Sequence, residues 1–286
     1  MTARMSVVIP AHDEEAVLGR LLDVLVADPR SGELEIVVVA NGCTDATVEV
    51  ARSYGAPVSV VVVDEASKIA ALEAGDHEAV AFPRAYVDAD VVIDVPALLA
   101  LADVLEPPGG PLVASPRLEV DTTGASWPVR AHYRIWELTD YRRSGHIGSG
   151  VYALAGEGRR RFGRWPHVIA DDRFVQQLFL PEERVTLEEH AFTVRSARTV
   201  RAHLRRSARI ARGNLELPDE LQRATDAPTG DRTANLVRRV AAEPRLWPSF
   251  AVYAVTSTLP KATARRLVAE RREPAWARDD TSRAIA

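Results

Sequence analysis

The sequence predicts an α/β domain built on a doubly wound, mostly parallel sheet flanked by helices, with a helical C-terminal extension. In the first hundred residues, short apolar runs alternate with segments of helical periodicity, and the runs lack the polar alternation of strands that face water. Strands of this kind, separated by helices, are typical of a parallel sheet covered on both faces. The predicted strands span residues 6–10, 35–40, 58–63, 79–82 and 85–87.

Three helical segments separate these strands. Residues 14–26 (EEAVLGRLLDVLV) have the apolar spacing of an amphipathic helix. Residues 44–54 form the second segment, in which Thr44 or Asp45 is placed to cap the helix. The third segment, 67–75, is predicted to end at its glycine, because glycine commonly follows the last helical turn.

The composition changes after residue 105, where residues 106–111 (EPPGGP) form a turn-rich joint. In the basic helix predicted at residues 198–212, arginines recur every three or four residues along one face. This spacing indicates either a solvated face or an anion-binding face. The sequence predicts an aromatic-rich helix, a short strand, another helix and this basic helix at residues 131–143, 151–154, 174–180 and 198–212.

The bulk composition excludes several classes of protein. With 286 residues, a formal net charge of -4 and a pI near 6.0, the chain has no overall attraction to nucleic acid. Its single cysteine, Cys43, excludes an internal disulfide framework and a cysteine-based zinc site. The N-terminal residues do not resemble a signal peptide, so we expect a cytoplasmic protein.

Polar residues follow four of the predicted strands. Asp13, Asn41 and Lys68 come after the first three strands, and Asp88 with Asp90 comes after the strand at 85–87. In open α/β sheets, ligands bind beyond the carboxyl ends of the strands, so these residues are expected to meet in one crevice. The alternative for Asp13, as for Asp45, is a helix cap.

Two acidic pairs suit catalysis. If the strand stays extended, Asp88 and Asp90 face the same side, where they would hold Mg²⁺ or Mn²⁺ against the oxygens of a diphosphate. Asp171 and Asp172 form the second pair, which would supply a general base. The alternative for this pair is a helix cap.

Six motifs together resemble one family, the family-2 glycosyltransferases of the GT-A fold, over roughly the first 215 residues. None of them is specific alone, but all six occur in the family's order. They are VVIPAHDEE (7–15), VVVANGCTDAT (37–47), SKIAALEAG (67–75), VDAD (87–90), GSGVYALAGEGRRRFG (148–163) and ADDRF (170–174).

The resemblance implies roles for particular residues. Asp90 would be the principal metal contact, with Asp88 near the ribose or the metal, and Asp172, with Asp171 beside it, would be the base. Gly148 and Gly150 would lie in the loop lining the sugar and the acceptor. The remaining residues implied to bind the nucleotide sugar are Pro10, Ala11, Asp13, Asn41, Lys68 and, near the diphosphate, Arg209.

The chain departs from the family pattern at two informative places. Ala40-Asn41-Gly42-Cys43 replaces the motif that usually reads Asp-Asp-Gly-Ser, which changes the contact that often selects uracil. Ile210 replaces the tryptophan that processive members use, which argues against a polysaccharide synthase. We divide the chain into a nucleotide-sugar-binding half, an acceptor-binding and catalytic half, and a helical extension, at residues 1–105, 106–212 and 213–286.

The resulting hypothesis is an inverting, metal-dependent, hexosyltransferase-like enzyme. It would move one sugar from a nucleotide-diphosphate sugar to a hydroxyl acceptor, which is a small molecule, a glycan or a lipid-linked compound. The alternatives are a phosphohydrolase with Asp88 as nucleophile and a non-catalytic nucleotide-binding module. Residues 198–212 and 246–259 either pack within the protein or make a peripheral contact with the inner face of a membrane.

Overall fold

The computed structural model describes residues 3–143, 147–166, 170–215 and 229–270. Within these ranges, eight strands form one mixed sheet in the order β3-β2-β1-β4-β7-β6-β8-β5. The strands are β1 (Met5–Ala11), β2 (Leu34–Asn41), β3 (Val58–Val63), β4 (Arg84–Val87), β5 (Val91–Val92), β6 (Val113–Asp121), β7 (Val151–Leu154) and β8 (Arg184–Arg195).

Helices cover the sheet and extend it at the C-terminal end. In chain order they are α1 (Leu18–Ala27), α2 (Thr47–Arg52), α3 (Lys68–Glu78), α4 (Val95–Leu105), α5 (Trp127–Trp136), α6 (Asp140–Arg143), α7 (Gly156–Arg159), α8 (Asp171–Leu178), α9 (Val200–Leu215), α10 (Thr229–Ala241) and α11 (Trp247–Ala269).

The N-terminal half is the predicted doubly wound unit. β1 pairs in parallel with both β2 and β4, and β2 pairs in parallel with β3. β1 and β2 are buried almost throughout because their apolar side chains are covered by helices on both faces of the sheet. The predicted fold class is confirmed, and the parallel half positions the loops that follow β1, β2, β3 and β4 at one edge.

Beyond β4 the sheet is mixed, and β6 pairs in parallel with β8. β7 lies antiparallel to both β4 and β6, and β5 lies antiparallel to β8. The sequence analysis predicted neither β6 nor β8. β6 contains Pro116, next to an irregularity in its pairing with β8, and β8 has Glu188 and Glu189 at its centre, so neither strand is a continuous apolar run.

No strand forms at residues 79–82, contrary to the sequence prediction. The backbone N–H groups of Val80 and Ala81 donate to the Glu35 carboxylate at 2.9 and 3.2 Å, and Ala81 N–H also donates to Ser6 Oγ at 2.9 Å. These side chains satisfy the donors that a neighbouring strand would otherwise bind.

One predicted helix has different bounds in the structure, and one helix was not predicted. The segment predicted as one helix at 131–143 forms two helices. α5 begins four residues earlier, with a proline in its first turn, and the helix is interrupted between Trp136 and Asp140. α4 was not predicted, although the Asp94 side chain accepts a hydrogen bond from Ala97 N at 2.9 Å, which is a recognisable cap.

The helical extension has a small apolar core of its own. Ile135 of α5 packs there with Leu236, Val240 and Leu246, and Phe250 and Tyr253 of α11 pack against them. α11 also packs along α9. No helix in the described ranges has the length and apolar content needed to span a bilayer.

Some predictions fall outside the described residues. These include His146 of the glycine-spaced loop, the apolar residues 168–169 before Asp171, and residues 216–228 and 271–286 of the predicted C-terminal extension.

Gly75 lies inside α3 and does not end it, contrary to the sequence prediction. A Cβ atom at this position would lie 2.3 Å from Val8 Cγ1 and 3.3 Å from Val39 Cγ2, both in central strands. The helix therefore needs glycine here to pack closely on the sheet. We expect Gly75→Ala to lower the free energy of unfolding by about 1–3 kcal/mol, because Val8 is stiff and fully buried.

Urea denaturation measures this effect. Gly32→Ala is the matched control, because no atom lies within 4 Å of the added Cβ there. Equal unfolding midpoints for the two variants would contradict the packing explanation.

Candidate active site

The loops after β1 and β2 are tied to each other by side chains. Asp13, at φ +50°, accepts hydrogen bonds at Oδ1 from Thr44 N at 2.5 Å and Thr44 Oγ1 at 3.2 Å. Asp45 Oδ1 accepts from Thr47 N at 3.0 Å, and Asp45 Oδ2 accepts from Glu15 N at 3.2 Å. In this structure both aspartates hold the backbone at the rim of the crevice, but neither is a helix cap, because α1 and α2 begin after Val17 and Ala46 without a side-chain cap.

Asn41 ends β2 directly beside that rim. Its backbone oxygen lies 2.7 Å from His12 Nδ1, and its side chain is 1% exposed. The side-chain nitrogen has no hydrogen-bond partner among the described residues. A buried amide donor without a partner is costly. Pro10 and Ala11, at the end of the neighbouring β1, contribute backbone to the same wall.

Lys68 binds two carboxylates at the centre of the site. Its Nζ atom lies 2.8 Å from Asp88 Oδ1 and 2.8 Å from Asp171 Oδ1. Burial alone would lower the pKa of Lys68, but the charges of Asp171 and, to a smaller extent, Asp88 hold that pKa well above its usual value. In this structure, Lys68 therefore supplies the positive charge next to Asp88.

Asp88 and Asp90 do not lie on one extended strand, contrary to the sequence expectation. β4 ends at Val87, and the chain turns so that Val91 N donates to Asp88 O at 3.2 Å. Asp88 points to Lys68, whereas Asp90 is close enough to Arg20 for its charge to raise the pKa of that guanidinium. The two carboxylates therefore have different electrostatic partners.

The glycine-spaced loop lies against both acidic pairs. Gly148 and Gly150 have φ values of +102° and +116°, which favour glycine. A Cβ on Gly148 would lie 2.6 Å from Asp172 Cβ, and one on Gly150 would lie 3.6 Å from Asp88 Oδ2. Gly150 O also accepts from Asp88 N at 2.8 Å. The loop thus joins the turn at Asp88 to the start of α8.

The surroundings of Asp172 raise its pKa. Burial first, and then the charge of Asp171, raise its pKa above the ordinary value, while Lys68 and the Ser149 N–H act in the opposite direction. Its Oδ2 accepts from Ser149 N at 3.0 Å, and its Oδ1 accepts from Arg173 N at 2.7 Å. A carboxylate of raised pKa is a stronger base than an ordinary one.

The two neighbouring aspartates differ in their partners. Asp171 is 2% exposed and also accepts a hydrogen bond from Tyr152 Oη at 2.9 Å. Both of its oxygens therefore have partners. Asp172 is partly buried, and its bonds come from backbone N–H groups. Both oxygens of each aspartate thus accept hydrogen bonds or an ion pair, but Asp171 binds side chains and Asp172 binds the backbone.

Sequence reasoning missed several residues near the site. Burial and Arg195 lower the pKa of Arg20, while Asp90 raises it, so these three groups are close in space. Arg206 Nη1 donates to Arg195 O at 3.0 Å, which brings α9 to this cluster. Arg209, the residue that was predicted to face the diphosphate, lies on the exposed side of α9. Only the tertiary fold identifies Arg20 and Arg195, because no local motif marks either residue.

The donor set at Asp88 and Asp90 fits a hard divalent cation. Mg²⁺ and Mn²⁺ are commonly held by one or two carboxylates together with substrate phosphate oxygens. Among the described residues, a cluster of three potential ligand atoms lies elsewhere, at Asp13, Cys43 and Asp45, within 4.8 Å of one another. The two aspartates of that cluster already accept the hydrogen bonds of the rim loops.

This arrangement defines a class of protein. A parallel half-sheet, an acidic turn after β4, and an acidic pair at the start of a helix beyond an antiparallel strand are the features of the GT-A glycosyltransferase fold. A sequence model described as "Glycosyl transferase family 2" matches residues 6–161. The chain belongs to glycosyl transferase family 2.

A known protein resembles part of this chain in sequence. The 4,4'-diaponeurosporenoate glycosyltransferase of Staphylococcus aureus (strain bovine RF122 / ET3-1) is 39% identical over 92 residues, which are 30% of this chain and 24% of that protein. The matched part thus spans about a quarter of that relative's length.

Two solved structures share the fold. The mannosyltransferase PcManGT from Pyrobaculum calidifontis, in complex with GDP-Man and Mn²⁺, has a TM-score of 0.63 and 18% identity, over 96% of this chain and 89% of that one. Staphylococcus aureus TarS 1–349, in complex with UDP-GlcNAc, has a TM-score of 0.51 and 16% identity, over 93% and 92%.

Replacing Lys68 tests the central bridge. We expect Lys68→Met to lower the free energy of unfolding by about 3 kcal/mol, at the low end of the range for a buried ion pair because Asp88 is 38% exposed. The loss should shrink as the pH falls, since protonation of a carboxylate removes the uncompensated negative charge.

Urea denaturation at several pH values measures this loss. The double variant Lys68→Met/Asp171→Asn should recover part of the stability, and Lys261→Met, on the exposed side of α11, is the matched control. A Lys68→Met variant as stable as the control would show that the bridge is dispensable.

Proposed function

We propose that this chain transfers a single sugar from a nucleotide-diphosphate sugar to a hydroxyl acceptor, with inversion at the anomeric carbon and with the help of Mn²⁺ or Mg²⁺. The observation that carries the proposal is the contrast between Asp171 and Asp172. Lys68 joins Asp171 to the acidic turn at Asp88, and Asp172 next to it has a raised pKa. Family membership and the GDP-Man and Mn²⁺ complex of the structural neighbour support it.

Asp172 takes the acceptor proton in the proposed reaction. As the hydroxyl proton moves to the Asp172 carboxylate, the acceptor oxygen forms a bond to the anomeric carbon. The bond from that carbon to the diphosphate oxygen breaks on the opposite face, and the diphosphate keeps the electron pair. General base catalysis of this kind contributes about a hundred- to ten-thousandfold.

Other side chains stabilise the leaving group and bind the donor. Asp90, with Asp88, would hold the divalent cation, which when bound neutralises charge developing on the leaving diphosphate. Lys68 keeps Asp88 in position. We propose Asn41 for the nucleotide base, because its buried amide nitrogen lacks a partner in the described structure and an amide both donates and accepts hydrogen bonds.

The acceptor is proposed to approach beside the glycine-spaced loop. Gly148 and Gly150 leave space next to Asp172 and Asp88, where side chains would intrude. A lipid-linked compound is one class of hydroxyl acceptor, and a peripheral membrane contact through residues 198–212 and 246–259 would bring it to the site.

Asp172→Asn tests the base. We expect this variant to lose about a hundred- to ten-thousandfold in transfer rate while it still binds the donor nucleotide. In the unmodified protein the rate should rise with pH through the raised pKa of Asp172, because only the deprotonated carboxylate accepts the proton.

Release of nucleoside diphosphate in the presence of acceptor measures transfer, and Asp103→Asn, at an exposed position of α4, is the control. Substantial residual turnover by Asp172→Asn would move the base to another residue.

Thermal denaturation with UDP, GDP, dTDP, CDP or ADP, each with and without manganese, tests the donor class. One nucleotide at a hundred times its Kd should stabilise the fold by about 2.7 kcal/mol, and only when manganese is present. Asp90→Ala should lose this shift, whereas Asp103→Ala should keep it. If no nucleotide raises the midpoint even at high concentration, the transferase proposal loses its main support.

A further inference from the structure

The outer side of α11 is apolar. Trp247, Ala251, Val255 and Leu259 recur every four residues, and we call these four the outer stripe. Three of them are large and exposed in the described part of the chain: Trp247 by 57%, Val255 by 54% and Leu259 by 51%. The exposed positions between and beyond them are small or polar: Ala254, Thr258 and Ala262.

The opposite side of α11 already has its partners. Thr256 Oγ1 lies 2.7 Å from His132 Nδ1 of α5, and Phe250 and Tyr253 pack against the core of the extension. The helix is therefore apolar on both sides, although a surface helix of a globular domain normally has polar residues on its outer side. An apolar stripe of this length marks an interaction surface.

Basic groups outnumber acidic ones around the stripe, although Glu270, just after the helix, pairs with Arg266 at 2.7 Å. The 23 residues of α11 include Lys261, Arg265 and Arg266, all exposed near its C-terminal end, and no aspartate or glutamate. α9, which packs against α11, also lacks acidic residues and has five arginines. The whole chain carries a net charge of -4, whereas α9 and α11 are both positively charged.

We propose that the outer stripe of α11 docks the protein on the surface of an anionic lipid membrane. An apolar face with tryptophan at one end, on a helix that contains lysine and arginine but no aspartate or glutamate, has the chemistry of a helix that lies in the interfacial plane of a bilayer. Each basic side chain near such a surface contributes through attraction to anionic headgroups. This inference rests on the membrane contact named in the proposed function and assigns it to one surface, and its test does not require the transfer reaction.

Vesicle co-sedimentation of the full chain tests the proposal, and it needs neither donor nor acceptor. We expect binding to phosphatidylcholine vesicles that contain phosphatidylglycerol, little binding to phosphatidylcholine alone, and weaker binding at high salt. Trp247→Ser/Val255→Ser/Leu259→Ser should bind at least tenfold more weakly, which corresponds to 1.4 kcal/mol. Neutralising Lys261, Arg265 and Arg266 with glutamine should weaken binding on the order of a hundredfold.

A matched variant separates the stripe from general surface hydrophobicity. Val62→Ser/Val80→Ser/Leu180→Ser removes three exposed apolar side chains elsewhere on the molecule and should bind vesicles like the unmodified protein. Circular dichroism and thermal midpoints establish that every variant is folded. Equal binding to neutral and anionic vesicles, or equal loss in the matched variant, would overturn the proposal. So would self-association that depends on the stripe without any vesicle binding, because the stripe would then join two copies of the chain.

Discussion

A single ammonium group holds the centre of the site together. Lys68 lies in the first turn of α3 and bridges Asp88, after β4, and Asp171, at the start of α8. Asp172 brings a third carboxylate to the same place, and like charges at this range repel unless a positive group separates them. Burial by itself favours the neutral amine, so the charged lysine and its carboxylates depend on one another. The site is therefore complete only when α3, β4 and α8 are all in place.

Two stacked tyrosines connect this bridge to the sheet. Tyr86 of β4 and Tyr152 of β7 are register partners, with ring centroids 5.1 Å apart. Tyr86 Oη donates to Asp76 Oδ1 at 2.6 Å, and Tyr152 Oη donates to Asp171 Oδ2 at 2.9 Å. Asp76 lies two turns after Lys68 in α3, so both ends of that helix are fixed to the antiparallel pair. The other side chains that donate to Asp76 are Arg84, Arg159 and Trp165.

The sequence predicted the parallel half of the fold well because continuous apolar runs leave few alternatives to buried strands. It failed for β6 and β8, whose pairing depends on distant partners and tolerates Pro116 and the Glu188–Glu189 pair. The motifs also identified the acidic residues of the site. They could not show that the chain turns at Asp88, or that Lys68 holds Asp171, because these facts depend on which loops meet in space.

The division between Asp171 and Asp172 illustrates how adjacent, identical residues acquire different chemistry. Both begin α8, where the N-terminal end of the helix favours negative charge. Asp171 faces Lys68 and Tyr152, which satisfy both of its oxygens. Asp172 points the other way, to the Ser149 backbone, and burial together with the fixed charge of Asp171 raises its pKa. The charge of Asp171 thus contributes to the electrostatic potential in which its neighbour titrates, so in the proposed reaction Asp171, which transfers no proton itself, would make Asp172 more basic.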